Sequence, residues 1–190
     1  MSRLADIRVT HELIERARSG DETAQCRLYG EIAPATFGLI RRILRSRAVA
    51  EDVFQDTLIA VFERLDTFRG EAPLGAWVRQ IAVSRCLMYL RSPWHRARLE
   101  LDARLDEQIM SLADSAGISS DGLDMERALA SLSPTARAVV WLFEVEGYSH
   151  QEIARAFGRT ASFSKSQLAR AHRRLREWFE PNEEHQPCAP

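Results

Sequence analysis

Gly147 to Arg176 constrains the chain more than any other stretch, because it reads as a short helix, a turn and a long basic helix. Ser149 with Glu152 three residues on forms S-x-x-E, in which hydroxyl and carboxylate satisfy backbone donors at a helix start. Ile153, Ala154 and Phe157 give this helix an apolar face. Gly158 ends it, since glycine enters the left-handed conformation at a helix C-terminus without steric cost. A second helix is predicted from near Ser162, with Leu168, Ala171, Leu175 and Trp178 recurring every three or four residues. From Arg159 to Arg176 there are six Lys or Arg and no Asp or Glu. A helix pair with a one-sided basic second member suits the major groove of duplex DNA. A basic face that is merely solvated is the plain alternative, and the remainder of the chain decides between them.

Strand signals are weak throughout and almost every periodic segment has helical spacing, so the expected fold class is all-α. The net charge of -1 does not by itself suggest nucleic acid. The charge is unevenly spread, however. Glu100 to Glu126 holds eight acidic residues and one basic residue, Arg104. Such asymmetry separates an acidic segment from a basic one and is more telling than the total. Three cysteines without C-x-x-C spacing fit reduced thiols in a cytoplasmic protein rather than a disulfide frame or a zinc site. The N-terminal stretch lacks the apolar core of a secretory signal, and no run reaches the length of a membrane span. The five histidines are scattered, with no H-E-x-x-H and no Gly-rich phosphate loop nearby. An enzyme is therefore not expected, and neither are catalytic residues, a metal or a cofactor.

Leu4 to Ser19 has helical spacing through Leu13, Ile14 and Ala17, and Ser19-Gly20-Asp21 reads as a stop followed by a new cap. Leu28, Ile32 and Phe37 continue a helical face on which Pro34 is expected to bend or break the helix. In Ala50 to Leu65, Phe54, Leu58, Val61 and Leu65 make a core stripe with Phe62 beside it. Asp52, Gln55, Asp56, Ile59 and Glu63 make a second stripe, polar but interrupted by isoleucine. That mixture suits a partner surface, although polar stripes are usually just the wet face. Asp66 to Pro73 is a turn-rich loop. Leu74 to Arg91 returns to helix, with Trp77, Ile81, Ser84 or Arg85, and Met88 at helical steps. Leu129 to Glu146 is a further helical segment, capped by Ser133 with Pro134 at the first helical position.

Ala50-Glu51-Asp52-Val53-Phe54-Gln55-Asp56-Thr57, then Phe68-Arg69-Gly70, then Trp77 with Ile81-Ala82, resembles the second conserved region of bacterial RNA polymerase sigma factors. The nearest type is the extracytoplasmic-function (ECF) group of the sigma-70 family. Leu132-Ser133-Pro134, Gly147-Tyr148-Ser149, Glu152-Ile153-Ala154, Gly158 and Lys165-Ser166 with Leu168 and Arg170-Ala171 resemble the fourth region. The resemblance covers nearly the whole chain. It implies two small helical domains joined by a flexible linker, the C-terminal one a helix-turn-helix. The boundaries would be residues 1–92 for the region 2-like domain, 93–124 for an acidic linker, 125–180 for the region 4-like domain and 181–190 for a disordered tail.

By this resemblance, Asp52, Gln55, Asp56 and Ile59 dock on the clamp helices of the polymerase largest subunit, and the fourth region meets the flap region. Phe68, Arg69, Trp77, Arg79, Gln80, Ser84 and Arg85 address the minus-ten promoter element, whose non-template strand is held open. Unstacking a base costs a few kcal/mol, and aromatic stacking of roughly 1–3 kcal/mol per base offsets it. Arg159, Ser162, Lys165, Ser166, Gln167, Arg170, Arg173 and Arg174 address the minus-thirty-five element as duplex. A cognate anti-sigma factor is a further implied partner. The chain departs from the family pattern in places. Ser84 stands where Asn is usual, Met88, expected to pack, where Asp is usual, Arg159 where an apolar residue is usual, and Ser164 where valine is usual, with Phe163 available to take over its packing. A stand-alone helix-turn-helix transcription regulator is the competing reading, although it needs neither Asp52-x-x-Gln55-Asp56 nor the Phe68-Arg69-Gly70 loop.

Overall fold

The computed structural model describes residues 4–44, 46–92 and 120–179. The described residues form helices and turns and no strand. The chain divides into two compact units, Met1–His95 and Arg96–Pro190. Leu99, Leu101, Leu105 and Ile109, whose spacing in the acidic linker would suit a short helix, and the C-terminal tail lie outside the described residues.

In the first unit, α1 spans His11–Arg18, α2 Glu22–Ile43, α3 Arg47–Glu63 and α4 Leu74–Arg91. The first helix starts later than its spacing suggests. Thr10 caps it, its hydroxyl accepting from the Leu13 N–H at 3.3 Å, and Leu4–Asp6 forms only a 3-10 turn. Gly20, at φ 86°, turns the chain into α2, where Asp21 accepts from the Ala24 N–H at 3.1 Å. Arg16 donates twice to the same carboxylate, at 2.9 and 2.7 Å, and together these bonds hold the Asp21 carboxyl below its usual pKa.

Pro34 does not break α2, which runs on to Ile43. A proline inside a helix costs about 3 kcal/mol through its missing donor and its clash with the preceding turn. Leu28 and Ile32 before it, and Leu39, Ile40 and Ile43 after it, are all fully buried. Each such side chain contributes roughly 1.5–3 kcal/mol, so packing on both sides outweighs the local penalty. The core of this unit also includes Val61 of α3 and Val78, Ala82, Cys86 and Leu87 of α4. Burial pushes the Cys86 thiol well above its ordinary pKa, so it stays protonated.

In the second unit, α5 spans Ser120–Ala130, α6 Pro134–Val140, α7 His150–Phe157 and α8 Ala161–Phe179. Ser120 to Gly122, placed in the linker by the resemblance, are the opening turn of α5. Ser133 caps α6, accepting from the Ala136 N–H at 3.2 Å. A π-helical turn, Trp141–Val145, follows it, with the Glu146 N–H donating to the Trp141 carbonyl at 3.1 Å. Val139 and Leu142 are fully buried, whereas Phe143 is half-buried. It stacks on His150 with ring centroids 4.4 Å apart.

Candidate functional site

Three surfaces carry the residues singled out above. The first is α3. Ser46 caps the helix, and Thr57 satisfies its buried hydroxyl by donating to the Val53 carbonyl at 2.6 Å. Val53, Leu58 and Val61 turn inward, which leaves Asp52, Gln55, Asp56 and Ile59 exposed on the opposite side. Ile59 is 56% exposed, unusual for a large aliphatic side chain. Beside the stripe, α2 and α3 enclose an open groove of about 540 Å3 lined by Tyr29, Phe37, Phe54, Leu58 and Ile59, with Glu51 and Gln55 at its polar edge. Phe37 and Phe54 meet edge to face at 5.3 Å. Phe54, expected in the core, is thus half-buried in the groove wall. Tyr29 was not identified from sequence as part of this surface. Its neighbour Leu28 carries the core periodicity, and only the arrangement of α2 against α3 brings the Tyr29 ring to the groove.

The second surface is the loop before α4 and the outward side of that helix. Arg69, Gln80 and Ser84 are exposed, while Arg79 and Arg85 are half-buried. Two expectations need correction. Phe68, expected as a stacking face, is only 7% exposed, its ring 5.5 Å from that of Trp77, and what remains open lines the cavity beside the loop. Met88 does not pack and is 50% exposed. The α4 core stripe is Val78, Ala82, Cys86 and Leu90, which turns Trp77, Ser84 and Met88 the other way.

The loop is also tied to the N-terminal segment. The Arg18 Nε donates to the Leu65 carbonyl at 3.0 Å, and its Nη2 donates to the Phe68 carbonyl. The Gly75 N–H donates to the Ile7 carbonyl at 3.1 Å. Between the N-terminal segment and the loop lies a cavity of about 570 Å3, with Arg8, His11 and Arg18 on one side and Phe68 to Leu74 on the other. An Arg in a first helix carries no local mark of such a role.

The third surface is α7, the turn and α8. The Ser149–Glu152 capping box is complete, with the Ser149 N–H donating to Glu152 at 2.8 Å and the Glu152 N–H donating to Ser149 Oγ at 3.2 Å. Gly158 closes α7 at φ 61°. Leu168 and Ala171 bury the inner side of α8, but Trp178 is 45% exposed and not part of that core. Ser164, at the position where valine is usual, is fully buried and lies 3.0 Å from His150 Nδ1. Phe163 packs against Phe157 at 5.6 Å and supplies the apolar contact that the serine lacks. Arg159, Ser162, Lys165, Ser166, Arg170, Arg173 and Arg174 are exposed and Gln167 is half-buried, so α8 presents a basic side with no carboxylate from Arg159 to Arg176. The Arg170 Nε reaches back to the Ser166 carbonyl at 3.3 Å.

Replacing Ser149 by alanine removes the hydroxyl half of the capping box and keeps the backbone N–H that donates to Glu152. It is expected to destabilise the second unit by about 1 kcal/mol, visible as a lowered Tm. An unchanged melt would show that the α7 start is held by other contacts.

The comparisons with known proteins follow this geometry. Sigma-70 region 2 matches residues 28–96, and sigma-70 region 4 matches residues 123–175. The ECF RNA polymerase sigma factor SigM of Mycobacterium tuberculosis is 30% identical over 164 residues, covering 86% of this chain and 81% of that protein. The RNA polymerase sigma factor CarQ of Myxococcus xanthus is 28% identical over 168 residues, covering 86% and 94%. The fold is similar to that of the sigma factor RpoE solved with the anti-sigma factor NepR from Bartonella quintana. There the TM-score is 0.53 and the identity 23%, over 84% of this chain and 98% of that one. CnrH, solved with the cytosolic domain of CnrY, gives 0.51 and 24% over 90% and 97%. A stand-alone helix-turn-helix regulator is not favoured, because it leaves the whole region 2 match unused. With both regions matched in order across two helical units, the chain belongs to the ECF group of sigma-70 RNA polymerase sigma factors, the subunits that direct core polymerase to promoters.

Proposed function

We propose that the α3 stripe of Asp52, Gln55, Asp56 and Ile59 is where core polymerase docks, on the clamp helices of its largest subunit. The observation that carries this reading is a row of exposed acidic and amide groups ending in an exposed isoleucine, alongside an apolar groove. Carboxylates steer a basic partner and set register, while isoleucine and groove supply the burial that charge alone does not. The loop after α3 and the outward side of α4 take the opened non-template strand of the minus-ten element. Arg69, Arg79, Gln80, Ser84 and Arg85 are the contacts, and Phe68 and Trp77 form their support. The basic side of α8 takes the minus-thirty-five duplex. Ser162, Lys165, Ser166 and Gln167, near its N-terminal end, meet base edges, and Arg159, Arg170, Arg173 and Arg174 meet phosphates. Region 4 also touches the polymerase flap.

The protein acts as a non-enzymatic subunit in the cytoplasm, where core polymerase works. Among the described residues no helix is long and apolar enough to cross a membrane. A cognate anti-sigma factor holds it inactive in this reading. RpoE, of similar fold, was solved with such a partner, and an exposed apolar groove needs a cover when polymerase is absent.

Run-off transcription on a genomic promoter pool tests the assignment. Purified core polymerase is expected to initiate at a discrete set of promoters only when the protein is added. Tight specific duplex binding by the protein alone, without core-dependent initiation, would instead support an autonomous regulator.

A further inference from the structure

Burial holds α8 against the second unit through Leu168, Ala171 and the Phe157–Phe163 contact at 5.6 Å. Apolar contact is non-directional. A hydrogen bond is not, and it weakens steeply once its angle falls below about 120°. Directional bonds therefore select among the small rotations that a packed helix can make.

Two such bonds to α8 involve an imidazole, and both lead to the π-helical turn Trp141–Val145. His150, the first residue of α7, lies on Phe143 of that turn with the rings 17° from parallel and 4.4 Å apart. Its Nδ1 is 3.0 Å from the hydroxyl of Ser164 on α8, which is fully buried. The stack fixes the plane of the imidazole, and the plane fixes where the serine must sit. His172, on α8 itself, places Nε2 3.0 Å from a carboxylate oxygen of Glu144. An ionised carboxylate only accepts, so the ring N–H donates. Phe143 and Glu144 are adjacent in the turn, while Ser164 and His172 lie eight residues apart on the helix. That separation is about 12 Å along the axis. Two fixed points on a rigid rod define its direction as well as its rotation.

The base-reading positions sit beside the first of these points. Ser162, Lys165 and Ser166 are all within two residues of Ser164. A helix with its side chains has a radius of about 6 Å, so a rotation of about 10° moves a side-chain tip by about 1 Å. Hydrogen bonds to base edges do not survive that displacement, since their donor–acceptor range is only about 2.7–3.2 Å. A long arginine reaching a phosphate accommodates it.

We propose that His150 and His172 are positioning residues for the minus-thirty-five readout, which fix the rotation of α8 against the π-helical turn and so set which base sequence the helix accepts. This rests on the reading of α8 as the duplex contact and names the residues that set its selectivity.

The test uses holoenzyme and a set of promoters that share one minus-ten element and differ at single minus-thirty-five positions, built from the strongest run-off promoter. Abortive initiation at varied holoenzyme concentration separates closed-complex binding from the opening step that follows. Ser164→Ala deletes the hydroxyl without adding volume, and water serves the half-buried imidazole, so the Tm should change little. Binding to the preferred promoter should fall about fivefold, and the spread between preferred and substituted promoters should narrow by a similar factor. The opening rate should stay the same, because strand opening belongs to the first unit. His172→Ala, at an exposed position where the fold is not at risk, should act in the same direction. His150→Asn puts an amide where Nδ1 stood and His172→Gln puts one where Nε2 stood, and each should recover part of the spread that alanine loses. An unchanged spread in either Ser164→Ala or His172→Ala would overturn the proposal, which needs both bonds. So would weaker binding that is uniform across the promoters, or that follows a lowered Tm and is not recovered by His172→Gln, since either marks the bonds as merely structural. If wild-type holoenzyme shows no dependence on the minus-thirty-five sequence, the assignment of α8 to the duplex fails first and the proposal with it, and that control tells the two failures apart.

Discussion

Replacing Asp52 and Asp56 together by arginine is expected to weaken binding to core polymerase by about a hundredfold, close to 2.7 kcal/mol. Both side chains are exposed, and their helix is held by the inward Val53, Thr57 and Val61, so the exchange leaves the fold intact. What changes is the interaction with a basic partner. Opposite charges about 4 Å apart gain roughly 4 kcal/mol at the effective dielectric of a protein surface, and entropy and screening return most of it. Reversal both removes that attraction and installs repulsion, which is why two substitutions reach two orders of magnitude. The loss should fall mainly on the association rate at low salt and shrink as salt rises. Titration of labelled core polymerase at two ionic strengths measures it. Wild-type affinity in the double variant would remove α3 as the docking surface. The chain would remain a sigma factor, with its polymerase contact elsewhere.

Gly75→Ala is expected to destabilise the first unit by about 3 kcal/mol, at the upper end of overpacking effects. The backbone at Gly75 has no unusual φ, so conformational freedom is not the issue. Close approach is. A Cβ there would lie 1.8 Å from the Leu4 carbonyl oxygen and 3.0 Å from Ile7 atoms. Backbone, unlike the tip of a flexible side chain, cannot swing aside. The N-terminal segment must lift off α4, losing the Gly75–Ile7 hydrogen bond and the burial of Leu4. For a domain of this size the Tm should drop by about 4–8 °C per kcal/mol. The released segment should become cleavable in limited proteolysis. An unchanged melt together with a protected N-terminus would mean that the segment does not sit on α4.

The expectations that held rest on local chemistry. The capping box at Ser149, the left-handed Gly158, Ser133 before Pro134 and the Ser19-Gly20-Asp21 turn each need only neighbours within about four residues. Helical spacing worked for the same reason, since a 3.6-residue period is written within one element. Expectations about which stripe is inward were less secure. Phe68, Met88 and Trp178 all sit where periodicity or chemistry alone misplaces them. Burial depends on what covers a side chain, and the cover comes from residues remote in sequence. Phe68 is covered by Trp77 and gripped at its carbonyl by Arg18, 50 residues away.

Ser164 makes the same point from the other side. It departs from the family pattern at a buried position of the recognition helix. His150 at 3.0 Å and the Phe157–Phe163 contact satisfy it, and neither contact is implied by the serine itself.

The sequence by itself determined an all-α chain, a helix-turn-helix with a basic second helix, an acidic stripe on a separate helix, and through their order the sigma-factor family. Those features are carried by local hydrogen bonds, by periodicity and by charge, all of which a linear string records. Only the tertiary structure decided that α2 survives Pro34, that Tyr29 joins the groove beside Ile59, and that residues 8–18 and the loop before α4 enclose a cavity. These outcomes turn on the balance between local cost and long-range burial and on the approach of backbones to within one missing Cβ. That balance is set only when the helices meet.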